Sequence, residues 1–171
     1  EDYKPINKKQ KFDLITCLAT ICFINPNKFI KKILSISEIG TELYIYSDNY
    51  MFPINSSKVV TKIPYSAQRL SNKDFEKFVD EFHPNKSKFL KNLNGYYMEG
   101  NPISGKRLCK ILEENNFRVL SIEYSQTVDW ALELLNNDKK NIINDINSMH
   151  GDIDEKDLTS RFYWIHAKRI T

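Results

Sequence analysis

Three histidines, three cysteines and a short group of aromatics are the side chains of this chain that could do chemistry as well as pack. Cys17, Cys22 and Cys109 have spacings that match neither a disulfide framework nor a zinc site, so free buried thiols are expected. No His/Cys/Asp/Glu set has metal-ligand spacing, and no metal is expected. Cys17 has no histidine or basic neighbour in sequence to lower its pKa, which argues against a covalent nucleophile. His166 lies within RFYWIHAKR (161–169), where it shares a strand face with Trp164 and Lys168, and His150 precedes Gly151. His83, just ahead of Pro84, follows a helical pattern over 74–82, a position from which a general base could reach a bound ligand. Its other reading is a turn-capping histidine. Tyr50, Met51, Phe52 and Tyr65 follow a strand-like ELYIY (42–46) and either line a pocket there or pack under a long loop. The five glycines, Gly40, Gly95, Gly100, Gly105 and Gly151, include no G-x-G, so a glycine-rich phosphate cradle is absent from this sequence.

The elements that must position these side chains are readable in order. Residues 12–17, FDLITC, form a short apolar run with β-branched members, the signature of a buried strand. Asn25-Pro26 then supplies a cap and a first-turn proline, and Phe29, Ile30, Ile33, Leu34 and Ile36 fall mostly on one face of a helix that Gly40 is expected to end. Lys28, Lys31 and Lys32 face water, and ELYIY returns as a strand. Strand, helix and strand in that order make a βαβ unit with a parallel pair. Further on, Ser104 caps a helix carrying Leu108, Ile111 and Leu112, Asn115-Asn116 closes it, and FRVLSIEY (117–124) alternates as a strand. RFYWIHAKR is the last strand. Ser71-Asn72 caps the 74–82 helix, whose Phe75, Phe78, Val79 and Phe82 share a face. Helical patterns over 128–135 and 141–149 separate the last two strands.

These segments resemble the fourth to seventh strands of class I S-adenosylmethionine-dependent methyltransferases, the last two antiparallel. The resemblance implies an α/β, Rossmann-like sheet with helical insertions. It divides a single domain, 1–171, into a core βαβ unit (1–48), a lid or acceptor insertion (49–102) and the closing strands (103–171). It further implies S-adenosylmethionine as methyl donor and an in-line displacement at its sulfonium carbon, for which positioning counts for more than a nucleophile. On that resemblance Thr16, Cys17 and Leu18 lie beside the methionine part of the cofactor. A carbonyl near Thr16 or Cys17 accepts from its amino group, Asp2 accepts from the adenine amino group, and Tyr3 offers a backbone N–H to the ring. Asp13, early in its strand, has a structural role. Tyr50, Phe52 and Tyr65 fall on the acceptor side, with His83 as the candidate base. The family's glycine-rich loop and ribose-binding acid have no counterpart here, so the chain matches the carboxyl-terminal half. A missing amino-terminal half is expected, in the same chain or a partner.

The bulk properties agree with a globular domain. A chain of 171 residues with 41% hydrophobic content can bury one core. No apolar run approaches the ~20 residues that span a bilayer and no signal peptide is visible, so a cytoplasmic protein without a membrane partner is expected. The net charge of +3 is spread over separate lysine groups, Lys8, Lys9 and Lys11; Lys28, Lys31 and Lys32; Lys86, Lys88 and Lys91. A nucleic-acid surface would need these to converge with stacking aromatics such as Tyr96 and Tyr97. A small-molecule acceptor is therefore favoured over nucleic acid. A non-catalytic methyltransferase-like interaction module is the alternative from another class.

Overall fold

The computed structural model describes residues 10–19, 21, 24–49, 65–82 and 103–171. The βαβ unit is present as β1 (Phe12–Leu18), α1 (Pro26–Ile36) and β2 (Ser37–Asp48), with β1 and β2 parallel and Leu14 to Leu18 opposite Glu42 to Tyr46. Asn25 caps α1 by accepting from the backbone N–H groups of Asn27 and Lys28 at 3.0 and 3.3 Å. Phe29, Ile30 and Ile33 are buried beneath the helix while Lys28, Lys31 and Lys32 are exposed. The helix does not run to Gly40. It ends at Ile36, and Ser37 is already extended. The positive φ of Gly40, 94°, serves a bulge instead, because the register jumps from Phe12 opposite Ser37 to Leu14 opposite Glu42. Thr41 fastens that bulge, its hydroxyl donating to the Phe12 carbonyl at 2.6 Å and accepting from the Glu38 N–H at 2.9 Å.

The closing strands are β3 (Phe117–Tyr124) and β4 (Phe162–Arg169), and α4 (Gly105–Glu114) precedes β3. Ser104 caps α4 through the Arg107 N–H, and Asn116, at φ 67°, turns the chain into β3. The sheet order is β1-β2-β4-β3, and β4 runs antiparallel to both neighbours. The last two strands are thus antiparallel to one another as expected, but β3 runs with β1 and β2, and β4 alone is reversed. Both crossovers, from β1 to β2 and from β2 to β3, progress across the sheet in the same direction. Right-handed connections therefore put α1 and α4 on the same face. There Ile15, Leu43, Ile45, Ile165 and Ala167 meet Ile30, Ile33, Leu108 and Leu112 in the main core.

Two helical insertions complete the described chain. The first contributes α2 (Ser66–Arg69) and α3 (Asn72–Phe82), and the second, between β3 and β4, contributes α5 (Asp129–Asn136), α6 (Lys139–His150) and α7 (Glu155–Thr159). They meet each other. Arg69 binds Asp145 through Nε and Nη2 at 2.8 and 2.5 Å, and His150 Nε2 lies 3.0 Å from the Gln68 carbonyl. Tyr65, Leu135, Ile142, Ile146, Ile153 and Leu158 form a second core between them. The described helices α2 and α6 thus pack against one another.

Candidate functional site

Strand alternation decides what the end of β1 can present. Cys17 points with Ile15 into the main core and is 8% exposed, while Thr16 is exposed and Leu18 is 64% exposed on the opposite face. The three consecutive residues expected beside a cofactor are therefore split between the two sides of the sheet. Leu18 opens onto a depression of about 710 Å³ lined also by Tyr44, Tyr46, Trp164, His166, Ser121 and Glu123. Its floor is aromatic. Tyr46 lies 5.3 Å from Trp164 and 5.6 Å from Phe162, ring centroid to centroid, and Tyr44 stacks on His166 at 4.1 Å with planes 12° apart. Glu42 Oε2 sits 3.3 Å from His166 Nε2 and accepts from the Tyr44 hydroxyl at 3.2 Å. The Tyr44 phenol is raised, by desolvation first and then by the Glu42 charge.

This aromatic face was only half legible. The alternation in ELYIY and RFYWIHAKR assigns Trp164, His166 and Lys168 to one side, as observed. What no strand pattern announces is that this side lacks a helix among the described residues. Leu14, Leu18, Tyr44 and Trp164 remain 55%, 64%, 41% and 43% exposed.

The remaining candidates lie elsewhere. Tyr65, expected among pocket residues, is 1% exposed in the second core, with its hydroxyl 3.0 Å from the carbonyls of both Ala131 and Leu158. Burial first, then the Glu155 charge, raises its phenol. It packs in the second core and lines none of the described depressions, and its φ of 58° lies at the turn into α2. Asp2, Tyr3, Tyr50, Phe52 and His83 lie outside the described residues, as do Cys22, Tyr96 and Tyr97. His150, at the end of α6, is lowered by burial and by Arg107, which donates to its carbonyl. Burial pushes the Cys109 thiol up to about 12, which removes it as a nucleophile at neutral pH. Cys17 is buried. Among the described residues no group of three or more His, Cys, Asp or Glu could hold a metal ion, and no helix is long and apolar enough to cross a membrane.

The described residues do not by themselves fit S-adenosylmethionine. Thr16 and Leu18 offer one wall on the open face, and Cys17 only its backbone. The described glycines, Gly40, Gly105 and Gly151, stand singly, in a bulge, at a helix start and after a helix. None forms the loop through which a backbone could approach such a ligand.

No protein-family model matches the chain, and no curated protein matches it in sequence. Solved structures similar to it include a SAM-dependent methyltransferase from Archaeoglobus fulgidus, with 16% identity and a TM-score of 0.44 over 95% of this chain and 61% of that one. Another is a protein of Bacillus halodurans described as a candidate methyltransferase, with 13% identity and a TM-score of 0.45 over 99% of this chain and 68% of that one. What the described residues define is a mixed α/β sheet with helices on one face and an aromatic surface on the other. Likenesses of this size assign neither an activity nor site residues to it.

Proposed function

We propose that this chain is the carboxyl-terminal, acceptor-side portion of a class I methyltransferase domain, which transfers a methyl group from S-adenosylmethionine to a small molecule once a second α/β portion completes the sheet. The observation that supports this reading is an aromatic face that no described helix covers, beside an edge of β1 that has no described neighbour. Parallel strands are ordinarily covered by helices on both faces, and among the described residues the right-handed crossovers cover one. Helices for the other face would come from crossovers running the opposite way, between strands added beyond β1, as in a doubly wound sheet. That second portion would bring the glycine-rich loop that this sequence lacks, and the cofactor would sit where the two portions meet, near Thr16 and Leu18. The insertion 49–102, with Tyr50, Phe52 and His83, stays on the acceptor side of this proposal.

A second reading rests on the same face, whose rings could serve a non-catalytic partner. Calorimetric titration with S-adenosylhomocysteine separates the two, with this chain alone and with the full-length product of its gene. Binding by the complete product, weakened at least tenfold in this chain, supports the enzyme. Absence of binding by both would sink it in favour of the interaction module.

A further inference from the structure

We propose that Arg107 anchors the acidic group of a small organic acid, a carboxylate or a phosphate monoester, in the groove between the start of α1 and the first turns of α4. The assignment stands on this groove alone and does not rest on methyl transfer. Its place follows from the topology. α1 follows the carboxyl end of β1, and α4, which leads into a strand running with β1 and β2, starts at that same end of the sheet. Ligands of α/β folds bind outside the carboxyl ends of the strands. There Asn25, Asn27, Arg107 and His150 line a cavity of about 350 Å³ together with the apolar Ile111 and Met149. A second depression, of about 470 Å³, shares all of these but Asn25 and extends the groove toward Lys110 and Asp152.

The anchor is held by the fold. Arg107 stands in the first turn of α4, and its Nη1 donates to the His150 carbonyl at the end of α6. His150 is fixed in turn. Its ring Nε2 lies 3.0 Å from the Gln68 carbonyl, which can only accept, so Nε2 carries the proton. The guanidinium is thereby positioned through one nitrogen. Its Nε–Nη2 edge, which makes no hydrogen bond or ion pair among the described residues, is the pair of parallel donors that a carboxylate or phosphate takes two-pronged. The start of α1 does not compete for this role, because Asn25 already accepts from the N–H groups of Asn27 and Lys28.

The charge in the groove has the sign an anion needs. A carboxylate of the chain itself reports it at the outer end, where Lys110 donates to Asp152 Oδ2 at 3.1 Å. Lys110 first, then Lys106 and Arg107, hold the Asp152 carboxyl below the usual carboxylate range. That outer stretch is already served, since Lys110 is paired there and Glu114 also lines it. The described lining of the inner cavity holds the guanidinium and no carboxylate, so an acidic group settles at Arg107. Ile111 and Met149, the latter 42% exposed, offer apolar surface to the rest of the ligand. The groove therefore fits an acid with an apolar body better than a bare ion.

NMR titration of the full 171-residue chain with phenyl phosphate and with benzoate tests the site, with phenol as the neutral control. Amide shifts should centre on Asn27, Arg107, Ile111, Met149 and His150, with a Kd on the order of 1 mM or below for at least one acid. The tighter of the two identifies the acidic group. Phenol should bind at least about tenfold more weakly. Arg107→Met, which keeps an apolar stem, should weaken the acid by about tenfold or more. Lys168→Met makes the same charge change on the opposite face of the sheet and should leave the acid within about twofold. Absence of binding by both acids, equal binding by phenol, or equal weakening in the two variants overturns the anchor. Should Arg107→Met not fold, the Arg107 Nε–H resonance of the unaltered chain decides. A shift that saturates together with the amide shifts upholds the site, and a resonance that stays in place while amides elsewhere move overturns it.

Discussion

Gly105 shows how tightly single residues are held where α4 meets the sheet. A Cβ built there would lie 2.9 Å from Ile122 Cδ1, 3.0 Å from the Tyr124 hydroxyl and 3.2 Å from Tyr163 Cγ. Ile122 can swing away, but the Tyr124 oxygen is engaged by Asp157 and the Tyr163 ring is fully buried. Gly105→Ala is therefore expected to lower stability by about 1–3 kcal/mol, as overpacking does, measured as a shift in urea midpoint at unchanged slope. The glycine is needed for close approach and not for its backbone angles. A change below about 0.5 kcal/mol would mean that β3 and α4 separate more easily than these distances imply. Sequence reading could not find this site. Asp157 stands in DEKDLT, an acidic, polar run that reads as surface, and its helix of five residues is too short to show a period.

At the scale of elements, the long periodic segments were legible and the joints were not. FRVLSIEY is β3 residue for residue, and Asn25-Pro26 and Ser104 start their helices as their capping chemistry requires. Gly40 reads as a helix stop because a glycine after an apolar helical stripe usually is one. The structure instead uses its positive-φ backbone at the fourth residue of β2, where the β1–β2 register slips. Nothing lies within 4 Å of a Cβ added there, so Gly40→Ala tests the backbone alone. It should cost about 1–2 kcal/mol, read from thermal or urea unfolding. Adding an alanine at Gly105 in the same chain should give an additive loss, since the two sites share no contacts. If Gly40→Ala is neutral, the bulge tolerates a β-carbon and the Thr41 hydrogen bonds alone hold it. The meeting of the two insertions was invisible for a different reason. Arg69–Asp145, His150–Gln68 and Tyr65–Leu158 are contacts between residues 76, 82 and 93 positions apart, and no local pattern encodes them.

Among the described residues the sheet presents two unlike faces, and the one that no described helix covers makes a prediction of its own. Folded domains seldom expose a contiguous apolar patch larger than a few hundred Å², and larger ones mark surfaces that something covers. Here Leu14, Leu18, Tyr44, Tyr46 and Trp164 lie on one side of a sheet whose β1 edge also has no described neighbour. An unpaired edge beside an apolar face favours self-association. The chain alone should therefore bind a hydrophobic-surface dye while still unfolding cooperatively, and should self-associate at tens of micromolar. Leu18→Ser with Trp164→Ser changes two side chains that are about half exposed or more and stand away from the main core. The pair should abolish most dye binding and shift sedimentation toward monomer, with unfolding free energy altered by no more than about 1 kcal/mol. If dye binding survives the double change, the exposed apolar surface lies elsewhere and the uncovered-face basis of the proposed second portion fails. If dye binding falls and stability falls with it by several kcal/mol, the two side chains are packed, and the face is already covered by this chain.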